Sequence, residues 1–127
     1  MTSNISNTSR IGFIGLGALG QGLCTSLVRG GFTVTVTDLN RDLGTALVAQ
    51  GALWADDVAA LCKASDIVIT ALPSPAISRQ VVEGAGGVFE SLRSGGIWIE
   101  MSTTDFEDLQ RLQAAAQARG ISGSTRW

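Results

Sequence analysis

Gly15, Gly17 and Gly20 are the residues whose spacing could carry chemistry. In Gly15-Leu16-Gly17-Ala18-Leu19-Gly20 they follow Ile11-Gly12-Phe13-Ile14, an apolar run that reads as a buried strand. They open a segment in which Leu19, Leu23 and Leu27 recur at helical spacing. Strand, glycine turn and helix in this order predict a dinucleotide-binding fingerprint. Gly15 permits the tight turn, Gly17 lets the backbone approach a pyrophosphate, and Gly20 lets helix and strand pack closely. The helix N-terminus then offers unpaired N–H groups and the positive end of its dipole to that pyrophosphate.

Asp38 supplies the second half of the fingerprint. It ends the β-branched run Thr33-Val34-Thr35-Val36-Thr37, near where a βαβ unit of this kind places its ribose-binding acid. A carboxylate there accepts from the ribose hydroxyls of NAD and repels the 2′-phosphate of NADP, so NAD is the favoured cofactor and NADP the alternative. The other reading of Asp38 is a helix cap. Leu39 continues the same loop. Arg41 either pairs with a phosphate and offsets that repulsion, or is a solvated side chain.

The elements around these residues alternate. A helical face at Leu43, Ala46 and Leu47 follows Asp38, then a short strand Ala52-Leu53-Trp54. Asp56 or Asp57 caps a helix over 58–64, and Ile67-Val68-Ile69-Thr70-Ala71-Leu72 is a strand ended by Pro73. A helix over 76–83, entered through Pro75, and a short helical turn over 88–93 lead to a fifth strand, Ile97 to Met101. Thr104 and Glu107 form a capping box for a last helix whose apolar face is Phe106, Leu109, Leu112 and Ala116. This alternation predicts an α/β chain with a doubly wound parallel sheet of five or so strands.

Ligands in such sheets bind beyond the carboxyl ends of the strands. Those ends bring Gly15–Gly20, Asp38-Leu39, Leu72-Pro73-Ser74 and Ser102-Thr103 to one rim. Ser102 and Thr103 either orient a substrate carboxylate or the nicotinamide end, or merely form the loop before the Thr104 cap. Lys63 precedes a strand and so lies at the opposite rim.

Composition narrows the remaining chemistry. The chain has 127 residues, 45% of them hydrophobic and 16% charged, with net charge −2: one globular domain, without a nucleic-acid or anionic-membrane surface. Residues 1–10 form a polar leader, expected to be disordered, that is neither a secretory signal nor a membrane span, which points to the cytoplasm. There is no histidine and no tyrosine, and Lys63 is the sole lysine, so no histidine-based acid/base mechanism and no Tyr-x-x-x-Lys pair exists within these residues. Cys24 and Cys62 show no metal-ligand spacing and read as buried thiols.

With these residues in hand, the sequence resembles the β-hydroxyacid dehydrogenase family, which includes 3-hydroxyisobutyrate dehydrogenase, tartronate semialdehyde reductase and relatives of 6-phosphogluconate dehydrogenase. The resemblance runs from about Ile11 to Gly120. It rests on the segment 11–20, on Ser65 to Pro73, on Gly87-Val88-Phe89-Glu90 and on Ile99-Glu100-Met101-Ser102-Thr103. Leu19 and Glu100 stand where the family usually has Met and Asp. The resemblance implies a Rossmann-type NAD(P)-binding domain over 11–120, with Leu72 and Pro73 bordering the cofactor. It places Thr103 near the cofactor as well, and Ser102 and Thr103 near a substrate carboxylate.

It further implies hydride transfer between the nicotinamide and a small 3-hydroxy acid or its aldehyde or keto form. In the family, a strand and a substrate loop follow the position of Gly120, and an all-helical domain then carries the catalytic lysine. Residues 121–127 keep a trace of this, so they are expected to be a short tail at a truncation point, with no residue matching that lysine. The expected function is therefore a cofactor-binding domain, inactive alone. A non-enzymatic cofactor-binding sensor or interaction module is the alternative, self-associating through the sheet edge left by the missing sixth strand. No nucleic-acid or membrane partner is expected, and a hydroxy-acid substrate only if a second domain is supplied. A methyltransferase-like reading shares the glycine turn and the acidic strand end, but Gly20 and the Leu72-Pro73 and Ser102-Thr103 loops argue against it.

Overall fold

A computed structural model of the protein describes residues 9–72, 74–101 and 106–125. Its centre is a parallel sheet built from the β-branched and apolar runs: β1 (Arg10–Ile14), β2 (Thr33–Thr37), β3 (Leu53–Trp54), β4 (Ile67–Thr70), β5 (Ile97–Glu100) and β6 (Ser122–Thr125). The strand order is β3-β2-β1-β4-β5-β6, and every neighbouring pair is parallel. This is the Rossmann order, with its reversal between β1 and β4.

Strand alternation assigns each side chain to one of two cores. Ile11 and Phe13 of β1, Val34 and Val36 of β2 and Ile67 and Ile69 of β4 pack on one face with Cys24 and Leu47. Those two come from α1 (Ala18–Arg29) and α2 (Thr45–Ala49). Ile14, Val68 and Trp98 point to the other face. There they meet α3 (Val58–Lys63), α4 (Pro75–Glu83), α5 (Val88–Ser91) and α6 (Phe106–Ala118) through Leu61, Val82, Phe89 and Leu112. Phe89 meets Trp98 edge to face at 5.3 Å, a favoured aromatic geometry.

Several expectations are amended. The sheet has a sixth strand: residues 122–125, expected as part of a tail, pair in parallel with β5 from Ile97↔Ser122 to Glu100↔Thr125, and Ile121 is buried. The β5 edge expected to lie open is therefore covered. The sequence Ser-Gly-Ser-Thr has weak strand preference, and pairing to β5 overrides it. Arg10, assigned to the leader, opens β1, where it meets Asp66 at 3.1 Å.

The expected second helix is a 3-10 turn (Arg41–Gly44) followed by the short α2, with Leu47 buried and Ala46 exposed. In α1 the fully buried side is Gly20 and Cys24, while Leu19 is half exposed. Of the α6 face, Leu112 and Ala116 are buried. The Thr104 half of the capping box lies outside the described residues, as do the side chains of Phe106 and Leu109. Among the described residues no helix is long and apolar enough to cross a membrane.

Candidate dinucleotide site

The chain leaves β1 through Gly15, whose φ of +100° falls in the left-handed region that favours glycine. Any Cβ at Gly15 would overlap the Ala71 carbonyl, and one at Gly20 would overlap the carbonyl oxygen of Gly15. The turn is thus pressed between the end of β4 and the first turn of α1. Gly17 differs. It is exposed, and a Cβ there would meet no atom of the described residues within 4 Å. It is also the N-cap of α1, and no side chain caps that end. The bare N–H groups and the open space beside them fit a pyrophosphate.

A cleft of about 610 Å³ opens along this turn. It brings together the whole 15–20 segment, Asp38, Leu39 and Leu72. Within that set, Leu16 is fully buried beneath the turn, whereas Leu19 is half exposed and Leu39 fully exposed at the rim. Asp38 is tied into the turn itself. Its Oδ2 accepts from the Leu16 N–H at 2.7 Å and its Oδ1 from the Asn40 N–H at 2.9 Å. It is therefore not a helix cap; Asn40 caps the 3-10 turn instead. Each Asp38 oxygen keeps further acceptor capacity, and the residue lines the cleft.

Arg41 is not among the cleft-lining residues. Its Nη1 lies 3.3 Å from Asp56 Oδ1, with its guanidinium over the Trp54 ring. Pro73, Ser102 and Thr103 lie outside the described residues.

The cleft also has walls that sequence reasoning did not assign to it. Asp56 and Asp57 line it, and Asp57 caps α3 by accepting from Ala60 N–H at 2.7 Å. Their place after β3, at the same rim as Asp38, was the available signal. Val58, Ile77, Val81 and Met101 add apolar wall. Ser74, whose Oγ accepts from Ile77 N–H at 3.2 Å, starts α4 beside the cleft.

Beneath the rim, Glu100 is almost fully buried and accepts from Thr70 Oγ1 at 3.0 Å and Ser78 Oγ at 2.7 Å. Trp98 Nε1 in turn donates to Thr70 Oγ1 at 3.1 Å. This network ties the ends of β4 and β5 to α4. Nothing about Glu100 in the sequence, beyond its departure from the family's Asp, pointed to it.

Lys63 is exposed at the end of α3, ahead of β4 and so at the far rim. Cys24 and Cys62 are both buried and free, and burial pushes their thiols up to about 12. Among the described residues no group of His, Cys, Asp and Glu is arranged to hold a metal ion.

Comparison with known proteins agrees with this geometry. Residues 10–123 match the family model described as the NAD binding domain of 6-phosphogluconate dehydrogenase. The chain is 36% identical over 112 residues to 2-(hydroxymethyl)glutarate dehydrogenase of Eubacterium barkeri, covering 88% of this chain and 37% of that protein. A solved structure of Psf3 in complex with NADP+ and 2-OPP superposes with a TM-score of 0.86 at 30% identity, over 89% of this chain and 40% of that one. The 3-hydroxyisobutyrate dehydrogenase of Mycobacterium tuberculosis, solved with L-serine, gives a TM-score of 0.85 at 25% identity, over 91% and 39%.

The chain thus spans well under half the length of the proteins it resembles. What it spans is the glycine turn, the Asp38 strand end and the sheet that joins them, and by that match the chain belongs to the family of the NAD-binding domain of 6-phosphogluconate dehydrogenase, with hydroxyacid dehydrogenases among its homologues.

Proposed function

We propose that this chain binds a nicotinamide dinucleotide, NAD in preference to NADP, as the cofactor half of a 3-hydroxyacid dehydrogenase-like oxidoreductase. The observation that carries the reading is the uncapped N-terminus of α1, with open space at Gly17 and Asp38 anchored beside it. The pyrophosphate would lie over Gly15–Gly20, held by backbone N–H groups and the helix dipole. Asp38 holds the turn through Leu16 and offers its remaining lone pairs to the adenosine ribose. Its carboxylate disfavours a 2′-phosphate, which supports NAD.

When bound, the cofactor supplies or accepts the hydride. Leu72 and Met101 then wall the cleft toward the ends of β4 and β5, where Ser102 and Thr103 follow in sequence. By family resemblance those two hydroxyl residues orient the substrate carboxylate. A proton donor for the substrate oxygen has to come from elsewhere, since Lys63 stands at the far rim. General acid catalysis is worth about 10²–10⁴-fold, so these residues alone bind cofactor with little or no turnover.

The test is calorimetric titration of the folded chain with NADH and, separately, NADPH. Micromolar to low-millimolar binding with NADH tighter supports the reading. A folded sample that takes up neither overturns it.

A further inference from the structure

Arg41, Trp54 and Asp56 form a cluster beside the ribose end of the cleft. The β2–β3 register pairs Val36 with Trp54. Ala55 N–H donates to Val36 O at 2.9 Å, and Thr37 Oγ1 donates to Ala55 O at 2.8 Å. Asp38 and Asp56 therefore follow adjacent parallel strands at the same rim of the sheet. Both line the cleft.

A single Asp56 oxygen, Oδ1, accepts from Arg41 Nη1 at 3.3 Å and from Trp54 Nε1 at 3.2 Å. The Arg41 guanidinium carbon sits 5.4 Å from the centre of the Trp54 ring, within cation–π range. Arg41 lies three residues after Asp38, and carboxylate and indole together draw it to the β3 side.

Resting on the dinucleotide reading above, we propose that Asp56 is a cofactor-specificity residue: it holds Arg41 on Trp54 and so withholds a cation from the 2′-phosphate of NADP. Asp38 disfavours that phosphate by charge. Asp56 removes the side chain that would offset the repulsion. The pair is exposed, at 74% and 83% of the two side chains, so the tether is shallow and one substitution suffices to release it.

The experiment measures the ratio of NADPH to NADH dissociation constants by calorimetry for the parent, Asp56→Asn, and Asp56→Asn combined with Arg41→Gln. In Asp56→Asn the ratio is expected to fall about two- to fivefold at low salt, and less at high salt, as suits an exposed charge. With Arg41 also replaced, the ratio should return toward the parent value. A ratio unchanged in Asp56→Asn overturns the proposal, and so does an equal fall without Arg41. If the folded parent binds neither nucleotide, the dinucleotide reading itself fails, a result distinct from NADH binding with an unmoved ratio.

Discussion

Substituting Gly17 and Gly20 separately by alanine divides the demands of the fold from those of the ligand. Gly17 has φ −69° and ψ −167°, extended backbone that alanine adopts freely, and its Cβ would touch no atom of the described residues within 4 Å. As an N-cap, glycine is preferred over alanine by about 0.5–1 kcal/mol. That corresponds to a melting shift of roughly 2–5 °C in a domain of this size. The same methyl would fill the space a pyrophosphate must enter. Gly17→Ala should therefore fold well and bind NADH at least about tenfold more weakly, a loss of about 1.4 kcal/mol.

Gly20→Ala should do the reverse first. Gly20 stands in the first turn of α1, where alanine gains at most the about 1 kcal/mol of propensity it has in a helix interior. Against this, the new Cβ overlaps the Gly15 carbonyl oxygen and lies 3.3 Å from Phe13 Cε1. The carbonyl cannot retreat easily, because Gly15 is itself pressed on Ala71. Overpacking costs about 1–3 kcal/mol, and backbone overlap places this case at the upper end, leaving a net loss of about 2 kcal/mol. Urea unfolding followed by far-UV circular dichroism, with NADH calorimetry on the same samples, reads both effects. The reasoning is refuted if Gly17→Ala binds NADH like the parent, or if Gly20→Ala is as stable as the parent.

Four further outcomes are expected. Glu100→Leu strands the buried Thr70 and Ser78 hydroxyls and should cost about 2–4 kcal/mol in urea unfolding, with Glu100→Gln milder because it keeps an acceptor. Hydrogen bonds from Arg10, then Arg93, hold the Asp66 carboxyl well below the usual carboxylate range. Its contribution to stability is full above the unfolded value of about 3.9 and is lost as pH falls toward the depressed folded value, so Asp66→Asn should flatten the acid limb of a stability–pH profile. Burial holds the Cys24 and Cys62 thiols protonated, up to about 12, so stability should decline as pH rises above about 8.5, where the unfolded chain ionises. An alkylating reagent should label both only as fast as the chain opens; rapid labelling of the native protein would contradict their burial.

The sequence by itself determined the alternating strands and helices, the glycine turn and the acidic end of β2, because these depend on local periodicity and on residue types with few alternatives. Ile11–Ile14, Thr33–Thr37 and the 15–20 segment stand where local pattern puts them. Only the tertiary structure decided what depends on a distant partner. Ser122–Thr125 becomes a strand because β5 offers an unpaired edge, not because glycine and serine favour one. Asp38 is a clamp on the turn because Leu16 N–H is brought to it across 22 residues of sequence. Arg41 lies against Asp56 and Trp54 because β3 and the loop after it bring both beside the 3-10 turn. Hydrogen bonds and ion pairs between neighbouring strands are set by register, and register is a property of the folded sheet rather than of any one segment.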